Sequence, residues 1–443
     1  MAGQVNIAVV SAAISSSGTG FADFTKAGFG TPKACIILLS FDTADDTGAA
    51  TEGKASIGLS DFTSHHCITH QDEDGSAKVD CDARKSNTKA YVLLTVTGTV
   101  DIDGTVSTIA DGVRLTNTTN GSASAVFATV IMFGGADLAI DLRRTVIASA
   151  QNGTATIPHS GFTDGNDKLI FFIGTDIAGE DSSSSGINNS FGVCHATGSD
   201  AGGWTFVQRC LGWASDHNAN AALASAIIST DRVLDILTEA GAQDWGLEVT
   251  NLDHAPAEWT VTTRDNGAGA GMEVYSLAFD LDNRSAKVGS VDSPISGATW
   301  TPSVALGFTP QYVGIGLTDL PLEDIRDSAT LQSSVLGISS NTGVGEETSH
   351  TWYNRNAADP TNTNNLFRSR VIDLRDHTAS FILQDHTHLS FNSGDWTYTI
   401  VTENETVAKK WFYWAIEEQA LDEMSWSVPY AQGIHRVTAV RAY

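Results

Sequence analysis

Positive charge and long apolar runs are both scarce in this sequence of 443 residues. Only 25 Lys and Arg stand against 52 Asp and Glu, which gives a formal net charge of −27 at pH 7. Binding to nucleic acid or to an anionic membrane surface needs clustered cations, and no run of Lys or Arg occurs, so we expect neither partner. No apolar stretch approaches the roughly 18 residues of a membrane span, so we also expect no membrane insertion.

Cysteine and proline are also rare, whereas glycine is frequent. The N-terminal stretch lacks the basic segment of a secretory signal, so we expect synthesis in the cytoplasm. Apolar residues make up 41% of the chain, enough for a core, and 41 glycines predict many tight turns between short strands. Five scattered cysteines are typical of free thiols and not of a disulfide framework: Cys35, Cys67, Cys81, Cys194 and Cys210.

One pattern occurs three times along the chain. It consists of a Gly-Phe pair, a few turn residues and an apolar run that ends at an Asp, and it begins at Gly28, Gly161 and Gly307. A second glycine flanked by apolar residues follows these origins after 30, 31 and 30 residues, at Gly58, Gly192 and Gly337. The spacing predicts three copies of one unit, residues 1–137, 138–281 and 282–419, followed by a C-terminal extension, residues 420–443.

The periodicity inside each unit is that of strands. Stretches such as "AYVLLTVTG" and "WTYTIVTEN" are rich in β-branched and aromatic residues and are bounded by Gly, Asn, Asp or Pro. We therefore predict an all-β protein of three tandem antiparallel, jelly-roll-like β-sandwiches of about 140 residues each. One short helix is expected at Ser229–Gly241, and Gly112 is matched with Gly246 as a third landmark of the first two units.

Several stretches contain metal-ligand or catalytic residue types, but none has the spacing of a known site. "SHHCITH" is interpreted as a polar loop, two Asp-rich segments as hairpin turns, and Asp385-His386 as a strand-end pair. The sequence therefore predicts no catalytic residue, no cofactor, no metal and no enzyme. These stretches are Ser64–His70, Asp72–Gly75, Asp101–Gly104 and Asp385-His386.

Aromatic residues are the remaining candidates for function. Five tryptophans are placed in or beside loops, where their rings would stack on sugars or anchor protein interfaces, although about half of them are expected to pack in cores: Trp204, Trp213, Trp259, Trp352 and Trp396. The C-terminal extension is interpreted as a docking arm that adds a strand to a neighbour's sheet, or else as a strap across the third unit. Its aromatic residues are Trp426, Tyr430 and Tyr443.

The landmarks resemble a family signature. Gly28-Phe29, Pro32-Lys33, Gly58, Asp111-Gly112 and the strand that ends at Gly134-Gly135 are similar to the GFxPK-type pattern of β-sandwich modules in virion structural proteins of tailed bacteriophages. The third unit, with "TPQYVGIGLTDL" and "WFYWAIEE", also resembles H-type lectin domains more loosely.

The phage resemblance implies a structural protein located in the virion, on the surface of the capsid as a decoration (cement) protein or in the tail or baseplate. Its implied partners are other virion proteins, in a homo-oligomer or in many copies. The alternative is a carbohydrate-binding receptor-recognition protein, such as a tail fibre or adhesin, that binds a host-surface glycan. A glycan-degrading enzyme is the weakest interpretation, because it needs a carboxylate pair across a cleft that the sequence does not single out.

Overall fold

The computed structural model describes most of the chain as strands. Within the described residues there is no helix, and hence none that could cross a membrane, and the predicted all-β fold is confirmed. Outside the described residues lie 1–4, 15–17, 43–51, 74–79, 122–125, 148–149, 178, 218–223, 239–241, 266–270, 283, 325–330, 341–345, 356–362, 376–381, 419–425, 431–432 and 438–443.

The strands are numbered in chain order. The first predicted repeat contains β1 (Asn6–Ile14), β2 (Phe21–Thr25), β3 (Pro32–Ser40), β4 (Glu52–Ser60), β5 (His65–Glu73), β6 (Cys81–Ser86), β7 (Tyr91–Leu94), β8 (Val100–Ile109), β9 (Gly112–Asn120) and β10 (Val126–Gly134). The second contains β11 (Ala139–Ile147), β12 (Thr154–Pro158), β13 (Lys168–Thr175), β14 (Ser183–Ser185), β15 (Ile187–Ser199), β16 (Gly203–Ser215), β17 (Ala224–Ser229), β18 (Leu234–Leu237), β19 (Gln243–His254), β20 (Ala257–Asp265) and β21 (Met272–Asp280). The third contains β22 (Ala286–Asp292), β23 (Thr299–Trp300), β24 (Pro310–Thr318), β25 (Leu331–Ser340), β26 (Glu347–Arg355), β27 (Thr363–Arg368), β28 (Ile372–Arg375), β29 (Ile382–Asn392), β30 (Asp395–Glu403) and β31 (Lys410–Glu417), and the extension forms β32 (Trp426–Tyr430) and β33 (Gly433–Val437).

Each predicted repeat forms one large and one small sheet, which we call the first, second and third sandwich. The large sheets follow the orders β1-β10-β3-β4-β5-β6, β11-β21-β13-β15-β16-β17 and β22-β31-β24-β25-β26-β27, and β14 of the second repeat joins the edge of the first sheet beside β6. The small sheets follow the orders β2-β9-β8-β7, β12-β20-β19-β18 and β23-β30-β29-β28. The apolar run after each Gly-Phe pair therefore occupies the same third position of its large sheet, in β3, β13 and β24.

The second set of glycines has a steric cause that is the same in all three sandwiches. A Cβ atom on Gly58, Gly192 or Gly337 would lie only 1.9, 1.8 or 1.8 Å from a backbone carbonyl oxygen of the facing small sheet. That oxygen belongs each time to the residue just before the last strand of the small sheet, namely Ala90, Val233 and Val371. The chain crosses the large sheet there at a distance that leaves no room for a side chain.

Two details of the sequence interpretation are wrong. Gly112 opens β9, whereas Gly246 lies within β19, which occupies the position of β8 in its sheet, so these glycines are not equivalent. The segment predicted as a helix contains the end of β17 and the buried strand β18. Leu234 and Ile236, two residues apart, both pack into the sandwich core. The side chains of this segment therefore alternate as in a strand and do not follow the spacing of a helix.

The large sheets are buried on both faces. One face packs against the small sheet of the same sandwich, around residues such as Ile37, Phe172 and Ile315. The other face of all three large sheets contributes to one shared core, which includes Ile36 and Phe171. The three sandwiches are therefore packed against one another and are not strung out like beads.

The shared core keeps its volume while its residues change. One pair of facing residues on the third and second strands of each large sheet can be compared across the three sandwiches. Two medium-sized residues in the first sandwich correspond to a small and a large residue in the third. The pairs are Ile36 with Ile131, Phe171 with Leu277, and Gly314 with Trp414. A Cβ on Gly314 would lie 2.1 Å from the indole ring of Trp414, so the glycine is required by the tryptophan.

This compensation predicts strong coupling between the two positions. Gly314→Ile alone should overpack the core, and Trp414→Ile alone should leave a cavity that costs about 3–5 kcal/mol. The double variant recreates the Ile-Ile pair of the first sandwich, so its loss of unfolding free energy should be well below the sum of the single losses. Urea unfolding of the four proteins measures this, and simple additivity would contradict it.

Candidate functional site

One cluster of potential ligand residues lies at an end of the second sandwich. Oxygen or nitrogen atoms of Asp164, Asp200 and His254 all lie within 4.8 Å of one another, the one such group found among the described residues. Asp164 precedes β13, Asp200 lies in the turn between β15 and β16, and His254 ends β19. Trp204, at the start of β16, stacks on the His254 ring with 5.6 Å between centroids.

Hydrogen bonds within the protein already occupy this cluster. The Asp200 carboxylate accepts from the Trp204 indole N–H at 3.1 Å, from the His254 backbone N–H at 3.1 Å and from His254 Nδ1 at 2.9 Å. The hydrogen bond from the His254 side chain, and to a smaller extent the one from Trp204, lowers the pKa of Asp200 to about 2. Asp164 in turn accepts the backbone N–H of Asp200 at 2.9 Å. The arrangement is a hydrogen-bonded clamp between turns, and we assign no metal to it.

Trp204 is only partly buried. It packs on the core of the second sandwich from outside, and Lys168 Nζ lies 5.4 Å from its ring centroid. Exposed carboxylates, those of Asp164 and Asp200, flank it. A partly buried indole beside hydrogen-bonding carboxylates has the chemical character of a surface that binds polar ligands with an apolar face, such as sugars.

The other tryptophans singled out from the sequence are buried on strands, and only Trp259 and Trp396 lie close to a turn, just after those that precede β20 and β30. Trp213 lies on β16, Trp259 on β20, Trp352 on β26 and Trp396 on β30, with exposed fractions of 5%, 2%, 6% and 0%. Their ring faces are covered by protein, so the interpretation as glycan-stacking residues is wrong for Trp213, Trp352 and Trp396.

Two of these tryptophans meet a histidine where the three sandwiches come together. Trp213 and Trp352 lie 4.8 Å apart between ring centroids, and His70 lies 5.8 Å from each of them. The three residues occupy the same position, because each stands three residues after the partner of Gly58, Gly192 or Gly337 on the next strand. We call this group the axial layer, since it contains one equivalent residue from each sandwich.

His70 is neutral in the axial layer. Burial lowers the pKa of His70 to about 3. Trp213 donates its indole N–H to Nδ1 of His70 at 3.4 Å, which requires an unprotonated nitrogen. The layer is thus an uncharged aromatic contact that contains a hydrogen bond.

The stretch "SHHCITH", which was expected to be a loop, forms the start of β5. Its residues alternate between the two faces of the sheet: His66 stacks on Tyr275 of the second sandwich, whereas Cys67 packs with Val92 and Leu94 inside the first. They therefore do not converge on one metal position. All five cysteines are buried free thiols, as the sequence predicts.

Equivalent residues join the sandwiches in cyclic order. His66, Arg209 and Thr348 occupy the same strand position, and each contacts the next sandwich. His66 stacks on Tyr275 at 4.4 Å, Arg209 Nε donates to Ser290 Oγ at 2.6 Å, and Thr348 Oγ1 lies 3.1 Å from Thr129 Oγ1. The third sandwich therefore contacts the first, and the three sandwiches close into a ring with pseudo-threefold symmetry.

A second set of contacts runs around the ring in the opposite direction. In each sandwich an aspartate in the segment after the third strand of the large sheet forms a hydrogen bond with the backbone of the preceding sandwich. The partner lies each time on the last strand of that sandwich's large sheet, β6, β17 or β27. The Asp181 N–H donates to the Lys85 carbonyl at 3.1 Å, the Asp324 N–H to the Ile228 carbonyl at 2.8 Å, and Asp42 Oδ2 accepts the Phe367 N–H at 3.2 Å. In the second sandwich this segment also contains β14, which pairs with β6 of the first.

The remaining candidates do not form a second site. Asp101–Gly104 lies in strand β8 and is not a hairpin turn. On β29, Asp385 lies 3.2 Å from Arg370 Nε, while the fully buried His386 lies 3.4 Å from a Glu403 carboxylate oxygen. In the extension, Trp426 and Tyr430 lie on β32, which pairs with β33 as a hairpin, and Tyr443 lies outside the described residues.

Sequence reasoning missed one titratable residue. In the second sandwich, Gln208 holds both backbone groups of Val249: its amide donates to the carbonyl at 3.0 Å, and its oxygen accepts the N–H at 2.8 Å. Glu347 occupies the equivalent position in the third sandwich and accepts the His388 N–H. Burial raises the pKa of Glu347 to about 7, and only the protonated acid has a donor like that of the glutamine.

We expect Glu347 to make stability depend on pH. A carboxyl group with a raised pKa in the folded state stabilises the protein at low pH, and that contribution is lost as pH rises from about 4.5 to about 7. The charged groups that act on Glu347 are Arg370, which lowers its pKa, and Asp385, which raises it. Burial lowers the pKa of His388 to about 4, so His388 is neutral over most of the range between pH 4.5 and pH 7. Glu347→Gln should remove the dependence and raise the unfolding free energy at pH 8, and Gln208→Glu should introduce the same dependence. Identical urea unfolding of Glu347→Gln and wild type at pH 5 and pH 8 would refute this.

Comparisons with known proteins give no family for this chain. No protein-family model matches, and no curated protein matches. Among solved structures, the chain aligns with fructofuranosidase from Schwanniomyces occidentalis complexed with fructose at 8% identity and a TM-score of 0.14, over 93% of this chain and 98% of that one. A variant of that enzyme complexed with fructosylnystose aligns at 8% identity and a TM-score of 0.09, over 87% of this chain and 98% of that one.

Both matching structures are enzymes, so the expectation that this chain has no enzymatic activity is corrected and not carried further. At a TM-score of 0.14 the likeness carries no argument for an activity or for a shared fold.

Proposed function

We propose that this protein is a structural component of a tailed-phage virion, located on the capsid surface or in the tail or baseplate. The observation that supports it is the closed ring of three equivalent β-sandwiches. The ring places most large apolar side chains in four cores, three within sandwiches and one between them. Such a block is rigid, and its charge of −27 keeps it soluble at high local concentration.

The GFxPK-type landmarks supply the link to virions. Gly28, Gly161 and Gly307 all have positive φ, of 76°, 72° and 84°, at the turn before the third strand of the large sheet. Partners are other virion proteins, and the C-terminal hairpin β32–β33 is the proposed docking arm.

Mass spectrometry of purified particles of the encoding phage tests this proposal. We expect the chain at a fixed copy number that survives density-gradient purification. Copies in the hundreds would place it in the shell, and a few dozen or fewer in the tail. Its absence from particles that are infectious and complete would overturn the proposal.

A second candidate function is recognition of a host-surface glycan, and Trp204 is the observation that favours it. Of the tryptophans singled out from the sequence within the core and loops of the sandwiches, it is the one that is only partly buried, and it lies beside carboxylates. On a glycan array, Trp204→Ala should abolish binding, whereas Thr205→Ala, an exposed neighbour on the same strand, should not. No binding by the wild-type protein would exclude this function.

A further inference from the structure

The ring has the form of a homotrimer made from one chain. Its axial layer takes one residue from each sandwich, and its inter-sandwich contacts repeat in cyclic order and close from the third sandwich to the first. In an ordinary cyclic trimer three chains supply these contacts through heterologous interfaces. Here the chain supplies all of them itself, so a single copy already presents each surface element three times.

One surface element is closely similar in all three sandwiches. The glycines of the Gly-Phe turns, Gly28, Gly161 and Gly307, are exposed and share a positive φ. A Cβ on Gly28 or Gly307 would have no atom within 4 Å, and one on Gly161 would meet only the Ala139 methyl group at 3.9 Å. Under the pseudo-threefold symmetry these turns lie at equivalent positions around the ring, at the corners of a triangle.

We propose that one copy of this chain binds on a threefold axis of a protein assembly, with the three Gly-Phe turns as its contact surface. The inference rests on the proposed function and specifies the partner's symmetry. A threefold partner makes three similar contacts with one ring at once, and each contact after the first is intramolecular. Because the ring is only pseudo-symmetric, as His70 opposite Trp213 and Trp352 shows, one copy binds in three orientations.

The test uses particles that lack this chain, with purified full-length protein added back. Localised reconstruction without imposed symmetry should show one ring centred on each occupied threefold axis, in three orientation classes. Three copies around an axis, or copies away from every threefold axis, would overturn this inference and leave the proposed function standing. No copies on any part of the particle would overturn both.

A triple variant tests the contact surface. Gly28→Asn, Gly161→Asn and Gly307→Asn together add side chains into open space at a φ that asparagine tolerates, so the ring should remain folded. Bound copies per particle should fall at least tenfold, while the circular dichroism spectrum and the urea midpoint stay close to wild type. Gly18→Asn is the control, because Gly18 lies in an exposed turn between β1 and β2, has a positive φ of 58° and has no atom within 4 Å of an added Cβ. Wild-type binding by a folded triple variant would overturn the assignment of the turns.

Discussion

Gly192→Ala should lower the free energy of unfolding by about 3 kcal/mol or more, one of the largest effects expected of any single methyl group in this chain. The added Cβ would lie 1.8 Å from the Val233 carbonyl oxygen, which belongs to the backbone and cannot rotate away. The two sheets of the second sandwich would have to separate locally. Gly58→Ala and Gly337→Ala should have effects of similar size, because they meet the carbonyl oxygens of Ala90 and Val371 at 1.9 and 1.8 Å.

Gly202→Ala is the matched control for this series. Its added Cβ would meet only the Ser199 hydroxyl, at 3.1 Å, in an exposed turn, and a hydroxyl can move. We expect a change within about 0.5 kcal/mol. Equal urea midpoints for Gly192→Ala and Gly202→Ala would show that the close crossing of the small sheet is not present in solution.

Trp352→Ala should loosen all three sandwiches. It removes one ring from the axial layer and leaves a cavity between sandwiches, with an expected loss of about 3–5 kcal/mol. Amide hydrogen exchange should accelerate in the strands that carry His70 and Trp213 as well as in β26, because these strands share the layer.

Trp396→Ala provides the comparison. Trp396 is equally large and fully buried, but it belongs to the core inside the third sandwich. Faster exchange should therefore be concentrated in the third sandwich. If both variants accelerate exchange only there, the sandwiches are energetically independent and the shared core does not couple them.

The sequence predicts the three copies because their spacing reflects steric requirements. Gly58, Gly192 and Gly337 recur at constant offsets because a side chain at any of them would strike the backbone. Gly112 and Gly246 look similar in sequence without being equivalent. Gly112 lies in β9, whereas Gly246 lies in β19, which is the counterpart of the neighbouring strand β8.

The contacts between copies lie beyond what one sequence can predict. The continuous apolar run of β3 indicates burial on both faces, but it does not say what covers the second face. Trp213 is flanked by Gly212 and Ala214 and Trp352 by Thr351 and Tyr353, so neither residue stands in a long apolar run, yet both lie at the centre of the ring. Glu347 is recognisable only once strand register aligns it with Gln208.

A double-mutant cycle on Phe127 and Phe367 tests ring closure most directly. These residues belong to the first and third sandwiches, and their rings stack with 4.6 Å between centroids. With Phe127→Leu and Phe367→Leu, the closed ring predicts a coupling free energy of about 0.5–1.5 kcal/mol in urea unfolding. Additive losses, with no coupling beyond error, would contradict the contact and with it the closure of the three sandwiches.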